Sequence, residues 1–194
     1  MNADTQQLRR HIRAKRLAQP AESIAESSLA ICKTLCRMQP VRRARSIAIY
    51  LADFGEVDCG GFMGQMIERK KSLYAPILRK KRLLFAPLRP NTPLQANRFG
   101  IAEPVYTTSE LRTPSQLDVV ITPLVAFDAK LNRLGMGGGY YDRSFAFKKR
   151  RQHWRRPLMI GVGYSFQLVA ALFPQAWDVP LDVAITEKES YGSC

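Results

Sequence analysis

The segment Arg133-Leu134-Gly135-Met136-Gly137-Gly138-Gly139-Tyr140-Tyr141-Asp142-Arg143 holds four glycines within five residues, bracketed by arginines and followed by a carboxylate. Such a run does not form a helix or strand interior, because glycine loses the most conformational freedom on ordering. It offers positive φ and close backbone approach, so successive N–H groups can curl around an anion such as phosphate. A helix opening at Tyr140 and reaching Phe147 would add its N-terminal N–H groups. The arginines supply charge, and Asp142 is a candidate magnesium ligand; together these are the parts of a nucleotide-phosphate site. A tight surface turn accounts for the glycines alone but not for the flanking charges. Read as G-x-G-x-x-G, the segment ends on Tyr140 or Asp142, so it is not a dinucleotide fingerprint. The chain has no Gly-Lys-Ser/Thr triplet, so it carries no Walker A loop either.

A second cluster, Asp53-Phe54-Gly55-Glu56-Val57-Asp58, follows an apolar run at residues 46–52. Carboxylates at the C-terminal end of a buried strand lie where open α/β sheets bind ligands. Asp58 suits a helix N-cap; Glu56, after a glycine, is the candidate for binding.

The elements that must position these clusters read as alternating helices and strands. A helix over 5–19 shows an apolar stripe at Leu8, Ile12 and Leu17, with Arg9, Arg10, Arg13, Lys15 and Arg16 on a solvated basic face. Arg9 and Arg13, one turn apart, are candidates to reach an anion. A core helix spans 21–38, and another 59–70. Strands are expected at 46–52, 72–78, 83–88, 117–122, 158–163 and 182–186, and a short helix at 166–172. Residues 79–82 (Arg-Lys-Lys-Arg) form a solvated hairpin tip, 91–97 a loop, and 99–104 a fixed turn. Residues 123–128 carry the chain from the strand at 117–122 to the glycine turn. The alternation implies an α/β fold with a largely parallel sheet, and nothing in the composition marks a second domain within 1–194.

The chain has 194 residues, ordinary hydrophobic content at 46% and a net charge of +14. That charge predicts polyanionic partners: nucleic acid, anionic lipid or phosphate-bearing ligands. Residues 148–156 carry six basic residues in nine. They read as an exposed loop, with a nucleic-acid patch using Trp154 as the alternative. No apolar run is long enough for a membrane span, and no secretory signal is apparent. Cys32, Cys36, Cys59 and Cys194 show no metal-ligand spacing with His11 or His153, so they read as thiols in a reducing compartment.

Several segments together resemble the 5-formyltetrahydrofolate cyclo-ligase family. They are Ile47-Ala-Ile-Tyr-Leu51 with Gly55-Glu-Val-Asp58, Phe99-Gly-Ile-Ala-Glu-Pro104, Asp118-Val-Val-Ile-Thr-Pro123, Ala126-Phe-Asp128, Asn132 to Arg143, and Asp178-Val-Pro-Leu-Asp182 with Thr186-Glu187. They occur in the family's order across roughly residues 5–187. The resemblance implies a single three-layer Rossmann-like domain and a cytoplasmic enzyme that uses ATP and magnesium. That enzyme converts 5-formyltetrahydrofolate to 5,10-methenyltetrahydrofolate, releasing ADP and phosphate. It also implies site roles. Arg9 and the run Arg133, Leu134, Gly135, Met136, Gly137, Gly138, Gly139, Tyr140, Tyr141 and Asp142 would bind ATP. Leu51, Glu56, Phe99, Met136, Gly137, Gly138, Gly139 and Tyr140 would contact the folate. Arg133, Tyr140 and Asp142 would act in catalysis, with Asp142, and secondarily Asp182, holding magnesium. Thr5 replaces a family lysine, and Met136 and Gly138 stand where some members carry basic side chains, so fewer cations reach the phosphates from those positions. The expected partners are MgATP and the folate, with or without a glutamate tail, acting on a monomer without membrane. The alternatives are a nucleic-acid-binding protein and a non-catalytic folate- or nucleotide-binding relative.

Overall fold

A computed structural model describes residues 3–150 and 156–192. Cys194, His153 and Trp154, with most of the basic run, lie outside them.

The helices are α1 (Ala3–Leu17), α2 (Ala21–Arg37), α3 (Gln39–Arg43), α4 (Gly60–Glu68), α5 (Tyr140–Phe145) and α6 (Phe147–Arg150). The strands are β1 (Ser46–Ala48), β2 (Ser72–Arg79), β3 (Arg82–Pro87), β4 (Leu94–Ala96), β5 (Ala102–Pro104) and β6 (Val119–Pro123). They continue with β7 (Ala126–Asp128), β8 (Arg133–Leu134), β9 (Leu158–Val162), β10 (Leu168–Val169), β11 (Val183–Ile185) and β12 (Ser190–Tyr191). The main sheet has seven strands in the order β12-β11-β9-β6-β1-β2-β3. Its five central strands run parallel, and β3 and β12 close the edges antiparallel.

Alternation along the strands builds the layers. Ile47, Ile49, Val119, Ile121, Ile160 and Val162 face α2 and α4, packing with Ile31, Leu35, Phe62 and Met66. The intervening Ala48, Val120 and Met159 face the other way, onto Phe145 of α5 with Leu83 and Phe85. The result is the expected three-layer, largely parallel α/β arrangement. Both faces of the central strands are covered, which is why they read as continuous apolar runs.

Four expectations need correction. Residues 166–172 hold a 3₁₀ turn and β10 rather than a helix, and residues 126–134 form an antiparallel hairpin, β7–β8, joined by β10 into a small second sheet. The 91–104 region pairs β4 with β5. These short pairings depend on tertiary neighbours, and period-2 patterning over two or three residues carries no signal. The 148–150 end of the basic run is helical, not loop.

The buried face of α1 also differs from the expected stripe. Leu17 is 60% exposed while Arg16 is 1% exposed. Steps of four residues from Leu8 and Ile12 arrive at position 16, so helical geometry carries the inward face through an arginine. Ile12 packs with Val125, Ala126 and Leu134, seating α1 on the small sheet.

Candidate functional site

The β7–β8 hairpin presents the glycine turn. Asp128 is buried at its bend and accepts from the Lys130, Asn132 and Leu172 backbone N–H groups and the Asn132 side-chain amide. Burial opposes ionisation there, but these donors hold the carboxyl below its usual value. Beyond the hairpin, Gly139 caps α5 in the left-handed region at φ 61°, where a Cβ is costly. A Cβ on Gly138 would lie 2.8 Å from the Tyr140 ring, whereas one on Gly135 would meet nothing within 4 Å.

Arg133 is the fixed cation of the turn. Its side chain is 3% exposed, and Nη2 donates to Asp142 Oδ1 at 3.0 Å. The guanidinium lies over Tyr141, 4.9 Å from the ring centroid. Asp142 Oδ1 also accepts from the Val179 N–H at 3.2 Å. Both contacts fall on one oxygen, leaving Oδ2 without a hydrogen-bond partner among the described residues. Tyr141 stacks on Phe145, and burial holds its phenol well above its ordinary titration range. Tyr140 accepts from Arg98 Nη2 at 3.2 Å through its hydroxyl. Arg143 reaches over the Tyr140 ring and donates to the Gly138 and Lys81 carbonyls. Arg98 in turn covers Phe99 at 4.8 Å, and Phe99 is 52% exposed. Glu103 anchors that hairpin by accepting from the Leu78 N–H and the Asn97 amide.

The Glu56 loop leaves the C-terminal end of β1. Phe54 and Gly55 take φ 49° and 70° in succession. A Cβ on Gly55 would approach the Arg16 carbonyl at 3.3 Å, so only glycine fits without displacement. Tyr164, just past the end of β9, donates to the Gly55 carbonyl at 3.1 Å. Glu56 is 15% exposed and faces Arg16 at 3.6 Å. Burial lifts its carboxyl to about 7, against the pull of Arg16. The Glu56 charge also raises the Tyr141 phenol, so the two clusters lie within electrostatic reach of each other. Leu51, half-buried at the start of the same loop, and Met136, 51% exposed in the turn, complete the expected folate residues.

Helix α1 ties the clusters together. Arg9 Nε donates to the Gly135 carbonyl at 2.8 Å, and burial lowers its pKa against the opposing charge of Asp178. Arg13, one turn on, sits 5.9 Å from the Phe54 ring centroid instead of joining Arg9 at the turn. Arg16 holds the Phe54 carbonyl. Asp58 places its Oδ1 on the Gly60 N–H at the start of α4, close to the cap expected of it.

Asp182 lies in a different setting. Its Oδ2 accepts from Lys148 Nζ at 2.6 Å and from the Met159 N–H at 2.7 Å, tying α6 to β9. Among the described residues no group of three or more His, Cys, Asp or Glu gathers for a metal. A magnesium ion on Asp142 would therefore complete its oxygen shell from phosphates and water. Oδ2, a hard acceptor on the carboxylate whose other oxygen Arg133 holds at 3.0 Å, suits that ion.

Sequence reasoning overlooked Arg16, Arg98, Tyr164 and Val179. The i, i+4 step from Ile12 could have found Arg16. Nothing local marks the other three, which reach the site through tertiary contacts.

Several further basic groups are engaged within the chain. A cavity of about 540 Å³ at the amino-terminal edge of the sheet is lined by Cys36, Arg37, Arg42, Arg69 and Lys71. Arg69 and Lys71 there donate to the Cys36 and Arg42 carbonyls, capping helix C-termini. Lys149 holds the Ala176 and Asp178 carbonyls, and Arg156 pairs with Asp118. Cys32, Cys36 and Cys59 are buried free thiols. No described helix is long and apolar enough to cross a membrane.

Comparison with known proteins places this geometry. The model of the 5-formyltetrahydrofolate cyclo-ligase family matches residues 1–187. A 5-formyltetrahydrofolate cyclo-ligase of Haemophilus influenzae is 36% identical over 181 residues, covering 91% of this chain and 94% of the relative. The Escherichia coli K12 enzyme of the same name is 36% identical over 183 residues, 92% and 97% of the two chains. The solution structure of Aquifex aeolicus 5,10-methenyltetrahydrofolate synthetase superposes with a TM-score of 0.82 at 32% identity, covering 97% of this chain and 92% of that one. A Mycoplasma pneumoniae 5,10-methenyltetrahydrofolate synthetase superposes with a TM-score of 0.74 at 26% identity, covering 95% and 99%.

Proposed function

The chain belongs to the 5-formyltetrahydrofolate cyclo-ligase family, and from that premise we propose how its residues divide the work of ATP-dependent cyclisation of 5-formyltetrahydrofolate. The formyl oxygen is an amide oxygen and leaves poorly. Transfer of the γ-phosphoryl group of ATP to that oxygen forms an O–P bond and releases ADP. N10 then attacks the formyl carbon, the C–O bond breaks with phosphate as leaving group, and the N10 proton passes to solvent. The protein's contribution is positioning and charge neutralisation.

The glycine turn receives the phosphates on its backbone N–H groups. Arg133 and Arg9 supply the cationic surroundings, compensating for the uncharged Met136 and Gly138. Tyr140, held between Arg98 and Arg143, borders the phosphoryl path. Asp142 holds magnesium through the oxygen that Arg133 leaves open. When bound, that ion screens the phosphate charge and orients the transferring group. Glu56 accepts hydrogen bonds from the pterin's N–H groups, Phe99 packs on its ring, and Leu51 and Met136 line the cleft.

One observation carries this division: a single helix contacts both clusters, through Arg9 at the nucleotide turn and Arg16 at the folate loop. We assign the active unit to a monomer and place the reaction in the cytoplasm. A glutamate tail on the folate suits the surplus of cations. The direct test follows methenyltetrahydrofolate absorbance with magnesium and ATP in the wild type and Asp142→Ala. ATP-dependent formation lost in a folded D142A supports the assignment, and full activity in D142A overturns it.

A further inference from the structure

Arg16 is among the largest fully buried side chains in the molecule, yet no step above uses its charge chemically. Its Nε donates to the Phe54 carbonyl at 2.9 Å, and Nη1 stands 3.6 Å from Glu56 Oε1. That distance makes an ion pair but not a hydrogen bond. Nη2 is buried with no hydrogen-bond partner among the described residues. A guanidinium partnered this sparsely does little for stability; well-packed apolar residues replacing such a buried pair are often neutral or better. What the arrangement does provide is a cation beside a carboxylate whose acceptor sites remain open. The other contact of Glu56 is the long 3.4 Å approach of the Asp53 N–H to Oε2.

We propose that Arg16 is a positioning residue for folate recognition: it fixes the 53–56 loop from α1 and biases Glu56 toward its ionised, accepting form, thereby governing affinity for the pterin and not for MgATP. The proposal rests on the assignment of Glu56 to the folate. The groups whose charge or burial bears on Glu56 come from every neighbouring element. They are Arg16 from α1, Asp53 from its own loop, Tyr50 from the end of β1, Tyr141 from α5 and Tyr164 from beyond β9. Burial keeps the three tyrosines neutral; the Asp53 backbone N–H favours the Glu56 carboxylate while the Asp53 charge opposes it. Arg16 is the cation of the set. Without it, the carboxyl retains its proton to higher pH, offers an O–H in place of a lone pair, and meets the pterin's N–H donors with a donor.

The test measures kcat/KM for 5-formyltetrahydrofolate and KM for MgATP between pH 5.5 and 9.5 in the wild type, Arg16→Met and Arg16→Lys. Equilibrium binding of 5-formyltetrahydrofolate without ATP is followed in parallel. The expected result for R16M is an acid limb moved to higher pH, with a loss at neutral pH of roughly tenfold or more, since each pKa unit is a factor of ten in the ionised fraction. The loss falls on the folate KM and shrinks at alkaline pH, while the MgATP KM stays within about twofold. R16K, which keeps the charge, holds the limb near its wild-type position. Equal losses for folate and MgATP at every pH would show a merely structural role and overturn the proposal, as would an unmoved pH profile. Should R16M not fold, R16K with a displaced limb, or wild-type folate binding that is unchanged from pH 6 to 8.5, overturns it equally. A wild type that binds folate but shows no turnover would refute the cyclisation reading while the binding arm still reports on Arg16.

Discussion

Replacing Glu56 by Gln is expected to make the protein more stable at alkaline pH while weakening folate use. The carboxyl is lifted from an ordinary 4.5 to about 7, burial being the larger cause and Arg16 opposing it. The side chain is only 15% exposed, so solvent screens the effect little. The folded state keeps this proton to higher pH than the unfolded chain. Between about 4.5 and about 7 the native protein therefore binds more protons, and stability falls as pH rises through that window. The span corresponds to about 3 kcal/mol, lost in full above the folded pKa. E56Q carries no titrating group, and its amide oxygen still faces Arg16. Other ionisations are common to both proteins and cancel in the difference. Urea denaturation of the wild type and E56Q at pH 4.5, 6, 7 and 8.5 measures it. The wild-type value relative to E56Q should drop by about 3 kcal/mol from the lowest to the highest pH and then level off. Parallel curves would refute the reasoning, because they would mean that the carboxyl is not held against ionisation.

Other substitutions separate roles within the site. Gly138→Ala places a methyl 2.8 Å from the Tyr140 ring and Gly139→Ala forces a side chain into φ 61°; each should cost about 1 kcal/mol or more in stability and sharply reduce ATP-dependent turnover. Gly135→Ala, with no protein atom within 4 Å of its methyl, should keep the melting temperature close to wild type. Asp182→Asn, which weakens the contact with Lys148, should lower stability by about 1–2 kcal/mol after allowance for solvent screening. It should leave the magnesium concentration for half-maximal rate unchanged. Asp142→Asn should raise that concentration, read from the rate as a function of free magnesium at saturating ATP.

The parallel core was legible because both faces of its strands are buried, so residues such as Ile47 to Ile49 and Val119 to Ile121 form unbroken apolar runs. The two loops that matter were legible as clusters of glycine and carboxylate beside strand ends. The small sheet was not, because Ala126–Asp128 and Arg133–Leu134 are too short to carry a period and pair only where α1 seats them. Arg16 was read as solvated because a charge on a basic helix usually is; its burial follows from the phase of Leu8 and Ile12. The links through Arg98, Tyr164 and Val179 join residues distant in sequence and leave no local trace.

The most direct test of the central claim is a single-turnover assay of the wild-type protein with 5-formyltetrahydrofolate, magnesium and ATP labelled at the γ-phosphate. The account predicts methenyltetrahydrofolate and labelled phosphate in equal amounts, neither forming without the other. Phosphate release independent of the folate, or no methenyltetrahydrofolate from folded protein beside an active control enzyme, would contradict it.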